Sequence, residues 1–307
     1  MKKTRLFLSL FLSLALTAFA APKLADHVVI VSIDQGAPEG IQRAEMPVLK
    51  KMAAEGAHTW KAQTILPSAT LQSHVSMLTG VGIEKHKVTW NDNAPGRTQV
   101  EVPTLFSLAK ARGLSTVLVV GKDKVFSTLT LPGSLDFAEW VKSNLSIETA
   151  KVAAEQIVRL KPNVCFVHLS EPDPVGHRFG MHSPQKMKAY ADADAAIQIL
   201  RDAVKAAGIE ANTVFIITAD HGCHDKPVIN KKGEPTGKVV ATHGSDKPED
   251  MTIPWIAWGK NVKPGHAIDS PVTTYDTTAT ALWVLGIDLP ENFDGKPVKE
   301  AFKASKK

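Results

Sequence analysis

The chain has 307 residues, 44% hydrophobic and 22% charged, a composition that excludes a disordered or low-complexity chain and allows one substantial core. Part of its formal charge of +5 belongs to Lys2, Lys3 and Arg5 at one end and to Lys299, Lys303, Lys306 and Lys307 at the other. No basic stripe interleaved with aromatics accompanies them, which excludes a nucleic-acid scaffold as partner.

In chain order, the three leading basic residues precede an apolar stretch over residues 6–16 and the processing pattern Ala18-Phe19-Ala20. Residues 1–20 therefore read as a cleaved signal peptide. The apolar stretch is shorter than the roughly 20 residues a bilayer requires. The expectation is a single domain over residues 21–307, periplasmic or secreted, with no membrane anchor after cleavage.

Short β-branched runs over residues 27–33, 115–120, 164–169 and 213–218 predict buried parallel strands. Helical patterns over residues 46–55, 104–112, 146–160 and 183–207 lie between and after them. The alternation predicts an α/β fold, a doubly wound, mostly parallel central sheet with helices on both faces. Ligands bind such sheets at the carboxyl ends of the strands. The irregular segment 222–254, with its Asn-Lys-Lys-Gly, predicts loops or a hairpin near that edge. Cys165 and Cys223 read as buried free thiols, and Tyr275 opens a C-terminal helix ending near Leu285-Gly286.

Potential ligand residues gather where these strands stop. Asp34 ends the first, Asp173 and His177 follow the third, Asp220 and His221 end the fourth, and His243 comes from a later loop. Taken singly, an Asp after a strand reads as a cap and a buried His as a hydrogen-bonded core residue. Six such groups at one sheet edge concentrate charge that cations would compensate. Imidazole and carboxylate donors suit zinc, and a pair of metals about 4 Å apart can polarise a phosphoryl group while activating an oxygen nucleophile.

These residues also carry a family resemblance. Ile33-Asp34, the run from Pro67 through Thr70 to His74, Glu171-Pro172-Asp173-Pro174-Val175-Gly176-His177, Ala219-Asp220-His221-Gly222 and Thr242-His243-Gly244 resemble the nucleotide pyrophosphatase/phosphodiesterase branch of the alkaline phosphatase superfamily. The resemblance extends from about residue 27 to about residue 300. It implies two zinc ions, one held by Asp173, His177 and His243, the other by Asp34, Asp220, His221 and the Thr70 oxygen. It further implies that Thr70 is the nucleophile, forming a covalent phospho-threonine, and that Asn91 donates to a phosphate oxygen. The departure is Ser73, where the family usually has Asn before the histidine. Thr70 also reads as a helix N-cap, a position where backbone N–H groups would face a phosphate, and Asn91 as a turn residue.

The substrate expected from the resemblance is a small phosphate ester or nucleotide, handled as a phosphodiester or pyrophosphate. Lys122 and Lys124 read as solvated loop charges. Their segment also resembles the Lys-Asp-Arg element of secreted phosphate-monoester hydrolases, with Lys124 in place of Arg, and extra positive charge suits a dianionic monoester. A monoesterase is the first alternative and a non-catalytic metal-binding protein the second; the segment at Thr70 lacks the sulfatase nucleophile motif. His86 and His266 read as surface or loop residues, His182 and His224 as neighbours of the ligands, and Trp255 and Trp258 as flanking a short strand.

Overall fold

A computed structural model describes residues 23–304; the segment read as a signal peptide lies outside them. Strand β1 (His27–Ile33) is buried beyond its first residue. Its Val28 and Ile30 join one apolar cluster while Val29, Val31 and Ile33 join another. A strand covered on both faces has no polar side, which is why its sequence is a continuous apolar run.

The other strands are β2 (Ala57–Gln63), β3 (Thr116–Val120), β4 (Phe137–Trp140), β5 (Val164–Leu169), β6 (Thr213–Ala219), β7 (His224–Ile229), β8 (Pro235–Thr242), β9 (Thr252–Gly259) and β10 (His266–Ala267). Eight form one sheet in the order β10-β2-β9-β6-β1-β5-β3-β4. The central strands β6, β1, β5 and β3 are mutually parallel, and β9 runs antiparallel to both neighbours. The fold is thus α/β, with a mostly parallel sheet between two helical layers. Segment 222–254 contains the hairpin β7–β8.

The predicted helices form at Pro47–Glu55, Leu105–Lys110, Ser146–Leu160 and Pro184–Ala206. Their starts follow local chemistry: Thr104 and Ser107 make a capping box, and the Ser183 hydroxyl accepts from the Lys186 N–H ahead of Pro184. Ala150, Ala153 and Ile157 of one helix share a core cluster with Ala193, Ala196 and Leu200 of another; truncating Leu200 to Ala there costs about 2–5 kcal/mol. Strands β2 and β4 escape sequence prediction because most of their residues are half-buried or exposed, so neither presents an apolar run.

Thr70 is the first residue of the helix Thr70–Thr79 rather than its N-cap, a place taken by the extended Ala69. The helix ends at Gly80, whose φ of 71° and close approach to the Phe293 ring both exclude a side chain.

Candidate active site

The four central parallel strands end on one edge, where crossing chain segments leave room for a ligand. Asp34 follows β1, Asp220 and His221 follow β6, and Lys122 follows β3. Asp173 and His177 lie on the helix Pro172–Phe179 after β5, one turn apart and so on one face. His243 follows β8, the second strand of the hairpin.

Asp34, Asp220 and His221 form an inner group that is fully buried. The His221 Nε2 lies 3.6 Å from Asp34 Oδ1, 3.4 Å from Asp220 Oδ2 and 3.4 Å from Thr70 Oγ1. Asp34 Oδ1 and Asp220 Oδ2 have no hydrogen-bond partner among the described residues. A buried polar atom left without a donor costs about 1–3 kcal/mol, more if charged, so these oxygens are suited to a cation.

Asp173, His177 and His243 form an outer group. Asp173 Oδ1 is 3.1 Å from His177 Nε2 and 3.5 Å from His243 Nε2, and the two Nε2 atoms are 3.2 Å apart. In all three histidines Nδ1 donates to a backbone carbonyl: His221 to Gly222, His177 to Ala241 and His243 to Ser68. A carbonyl only accepts, so in the neutral ring Nε2 is a bare lone pair aimed into the site. Two lone pairs facing each other at that distance require a cation or a proton between them. Without a cation the proton takes the place, and hydrogen bonding to Asp173 raises the pKa of His177. His221, by contrast, is held neutral, its pKa pushed down to about 3 by burial and by His243.

The carboxylates show the same shortage of positive charge. Burial and the adjacent Asp34 push the Asp220 carboxyl well up. Against the same burial, Lys122 and His168 hold Asp34 well below its ordinary range. Each group, Asp34-Asp220-His221 and Asp173-His177-His243, offers three convergent donor atoms that could hold a metal ion, and the mixture of imidazole nitrogen and carboxylate oxygen fits zinc.

Lys122 is no solvated loop charge. Its Nζ lies 2.6 Å from both Asp34 Oδ2 and Asp173 Oδ2 and 3.3 Å from Thr70 Oγ1. Burial opposes its charge, but Asp34, Asp173 and Asp220 prevail and raise its pKa. Lys124 donates to Asn91 Oδ1 at 2.8 Å, which also accepts the Leu71 N–H at 3.0 Å. The Asn91 amide oxygen is thereby engaged by two donors next to the helix Thr70–Thr79, leaving its amino group as the available donor.

Several residues around these groups escaped sequence reasoning. His168, fully buried at the end of β5, donates from Nε2 to Asp34 Oδ2 at 2.9 Å; the signal was a lone imidazole inside an apolar strand. His74 bonds the Thr70 carbonyl and Ser32 Oγ. Ser73, where the family pattern departs, bonds Thr64, which in turn donates to the Asp220 carbonyl. His224 bonds Asp250, whose other oxygen accepts from Ser245 in the loop carrying His243, whereas His182 faces Glu39. His86 is not a surface residue: it is buried, with Nε2 on Ser76 Oγ and Nδ1 accepting the Val88 N–H. Cys165 and Cys223 are free and buried.

The sequence pattern of the type I phosphodiesterase / nucleotide pyrophosphatase family matches residues 28–271. Among curated proteins, ectonucleotide pyrophosphatase/phosphodiesterase family member 7 of Mus musculus is 27% identical over 237 residues, covering 69% of this chain and 53% of that protein. The chain spans about half or less of the length of the curated relatives it matches. Among solved structures, an inactive murine ectonucleotide pyrophosphatase/phosphodiesterase 5 in complex with AMP superposes with a TM-score of 0.74 at 15% identity, over 91% of this chain and 100% of that one. The alkaline phosphatase PafA superposes with a TM-score of 0.74 at 14% identity, over 92% of this chain and 100% of that one.

Proposed function

The chain belongs to the type I phosphodiesterase/nucleotide pyrophosphatase family of the alkaline phosphatase superfamily, and from that premise we propose that it hydrolyses phosphate esters with two zinc ions and Thr70 as nucleophile. The observation that carries this reading is the convergence of the orphaned Asp34 and Asp220 oxygens and the three histidine lone pairs beside Thr70 Oγ1. Asp173, His177 and His243 would hold one ion, and Asp34, Asp220 and His221, with Thr70, the other. When bound, the two ions supply positive charge at the phosphoryl oxygens and at the attacking oxygen.

Thr70 Oγ1 passes its proton to solvent and attacks phosphorus; the bond to the leaving group breaks, the departing oxygen takes up a proton from water, and a phospho-threonine forms. Water then attacks the same phosphorus, releasing phosphate or a phosphomonoester and restoring Thr70. The Asn91 amino group donates to a phosphoryl oxygen as charge builds there, with its side chain held by Lys124 and Leu71. His168 fixes Asp34 and His74 braces the Thr70 carbonyl. The pattern over residues 1–20 supports an exported enzyme.

Family membership favours a phosphodiester or nucleotide pyrophosphate as substrate. A phosphomonoesterase is the second reading, favoured by Lys122: its ammonium, 3.3 Å from Thr70 Oγ1, is within one hydrogen bond of a phosphoryl group attached there and suits a dianion. The test is hydrolysis of matched p-nitrophenyl monoester and methyl diester by the purified protein at fixed salt. Activity lost to a chelator and restored by zinc is the expected result. Active protein carrying well under one transition metal per chain would end the two-metal reading, and the kcat/KM ratio of the two esters chooses between substrate classes.

A further inference from the structure

Gln35, the residue after Asp34, touches both donor groups. It is fully buried, and its φ of 56° lies in the left-handed region that a residue with a side chain seldom adopts. From there its backbone N–H donates to Asp220 Oδ1 at 3.0 Å and its side-chain Nε2 donates to Asp173 Oδ1 at 3.0 Å. One residue thus holds a carboxylate of the inner group and a carboxylate of the outer.

Its own conformation is held from behind. The fully buried Lys186 donates to Gln35 Oε1 at 2.7 Å and to the Pro172 carbonyl at 2.7 Å. Tyr190, one helical turn further along, donates its hydroxyl to the Gln35 carbonyl at 2.7 Å. An ammonium only donates and a carboxylate only accepts, so an amide between them can stand in one orientation. Turned over, Gln35 would set its oxygen against Asp173 and its amino group against Lys186. Lys186 has no carboxylate partner within ion-pair distance among the described residues, so this buried charge is directed at an amide. Strained backbone persists where its surroundings over-determine it, and such positions cluster at functional sites.

We infer that Gln35, locked by Lys186 and Tyr190, is a positioning residue that fixes the spacing of the two metal groups by bonding one carboxylate of each. The inference rests on the proposed reading of those groups as metal sites. Residues that orient ligands from outside the coordination shell change metal affinity by about 10–100-fold when removed, and this one acts on both sites.

The experiment is zinc titration of the metal-stripped full chain against a chromophoric chelator, for wild type and for Gln35→Met, Lys186→Met and Tyr190→Phe, with thermal unfolding of each metal-free protein alongside. Wild type should take two zinc ions. Gln35→Met, which removes the bond to Asp173 but keeps the backbone N–H on Asp220, should weaken the outer site by about 10–100-fold and the inner site less, Lys186→Met should act in the same direction, and the visible absorption of the cobalt(II)-loaded variants should shift. Tyr190→Phe, the mildest change, should weaken both sites less and keeps the test open if another variant does not fold. Variants that lose thermal stability but bind zinc within about threefold of wild type would reduce Gln35 to a packing role and overturn the inference alone. Wild-type protein that binds no zinc would overturn the two-metal reading with it.

Discussion

The two donor groups touch, the rings of His221 and His243 stacking 3.7 Å apart, but they are built differently. Asp34, Asp220 and His221 sit at the ends of adjacent central strands and are fully buried, so the geometry of the inner group comes with the sheet. The outer group joins a helix to a hairpin: the side chain of His177 is 43% exposed, and His243 depends on β8, most of which is exposed. Segments with few buried apolar contacts open locally at lower free energy than core strands. The inner group is therefore preorganised and costly to disturb, while the outer one can adjust and is the easier to empty.

The largest expected effect tests the hydroxyl beside the inner group. Thr70→Ala should cut turnover by about a thousandfold or more while metal content stays near wild type, since it removes the attacking oxygen and little packing. Near-normal turnover would refute covalent catalysis at Thr70. Next, Asp220→Ala and His177→Ala set the groups directly against each other. Asp220 accepts the backbone N–H groups of Gln35 and His221, and each buried donor left unsatisfied costs about 1–3 kcal/mol, so Asp220→Ala should lower both metal content and melting temperature. His177→Ala should weaken one metal and leave the fold intact; equal losses by elemental analysis and thermal unfolding would erase the distinction.

A smaller effect concerns the cation that joins the two groups. Replacing Lys122 and Lys124 together with Ala should lower monoester kcat/KM by at least about a hundredfold if both ammoniums reach the phosphate, since charged hydrogen bonds contribute roughly 1.5–3 kcal/mol each. Diester turnover should fall far less, and an equal fall in both would reject a charge-selective role.

The smallest effect probes the support of the helix that carries Thr70. Burial lowers the pKa of His86 to about 4 from an ordinary value of 6.5. The unfolded chain therefore binds a proton that the folded one refuses, and metal-free stability should rise with pH between those values and flatten above them. The contribution is about 2 kcal/mol after allowance for partial solvent screening. Denaturant unfolding of wild type and His86→Gln across that range should show the slope in the first and a weaker one in the second.

Much of this was legible in the sequence because the signals are local. Apolar runs mark β1, β3, β5 and β6 since strands covered on both faces are mostly apolar. Asp34, Asp220 and the Asp173–His177 pair stand where those runs stop, and the family pattern named them in order. Hidden were the strands with one half-open face, β2 and β4, and the residues whose meaning comes from a partner far along the chain. Lys122 reads as a loop charge until β3 is set beside β5 and its ammonium meets Asp34 and Asp173. His86 reads as a surface imidazole until the helix Thr70–Thr79 covers it.

The sequence by itself determined the fold class and set acidic and imidazole residues at one edge of the sheet, because periodicity and strand-end chemistry are properties of neighbouring residues. Tertiary structure alone decided how those donors are oriented. Ala241 and Ser68 select the tautomers of His177 and His243, His168 aims Asp34, and Lys186 settles which way the Gln35 amide faces. Hydrogen-bond direction depends on what stands within about 3 Å in space, and no spacing along the chain encodes it.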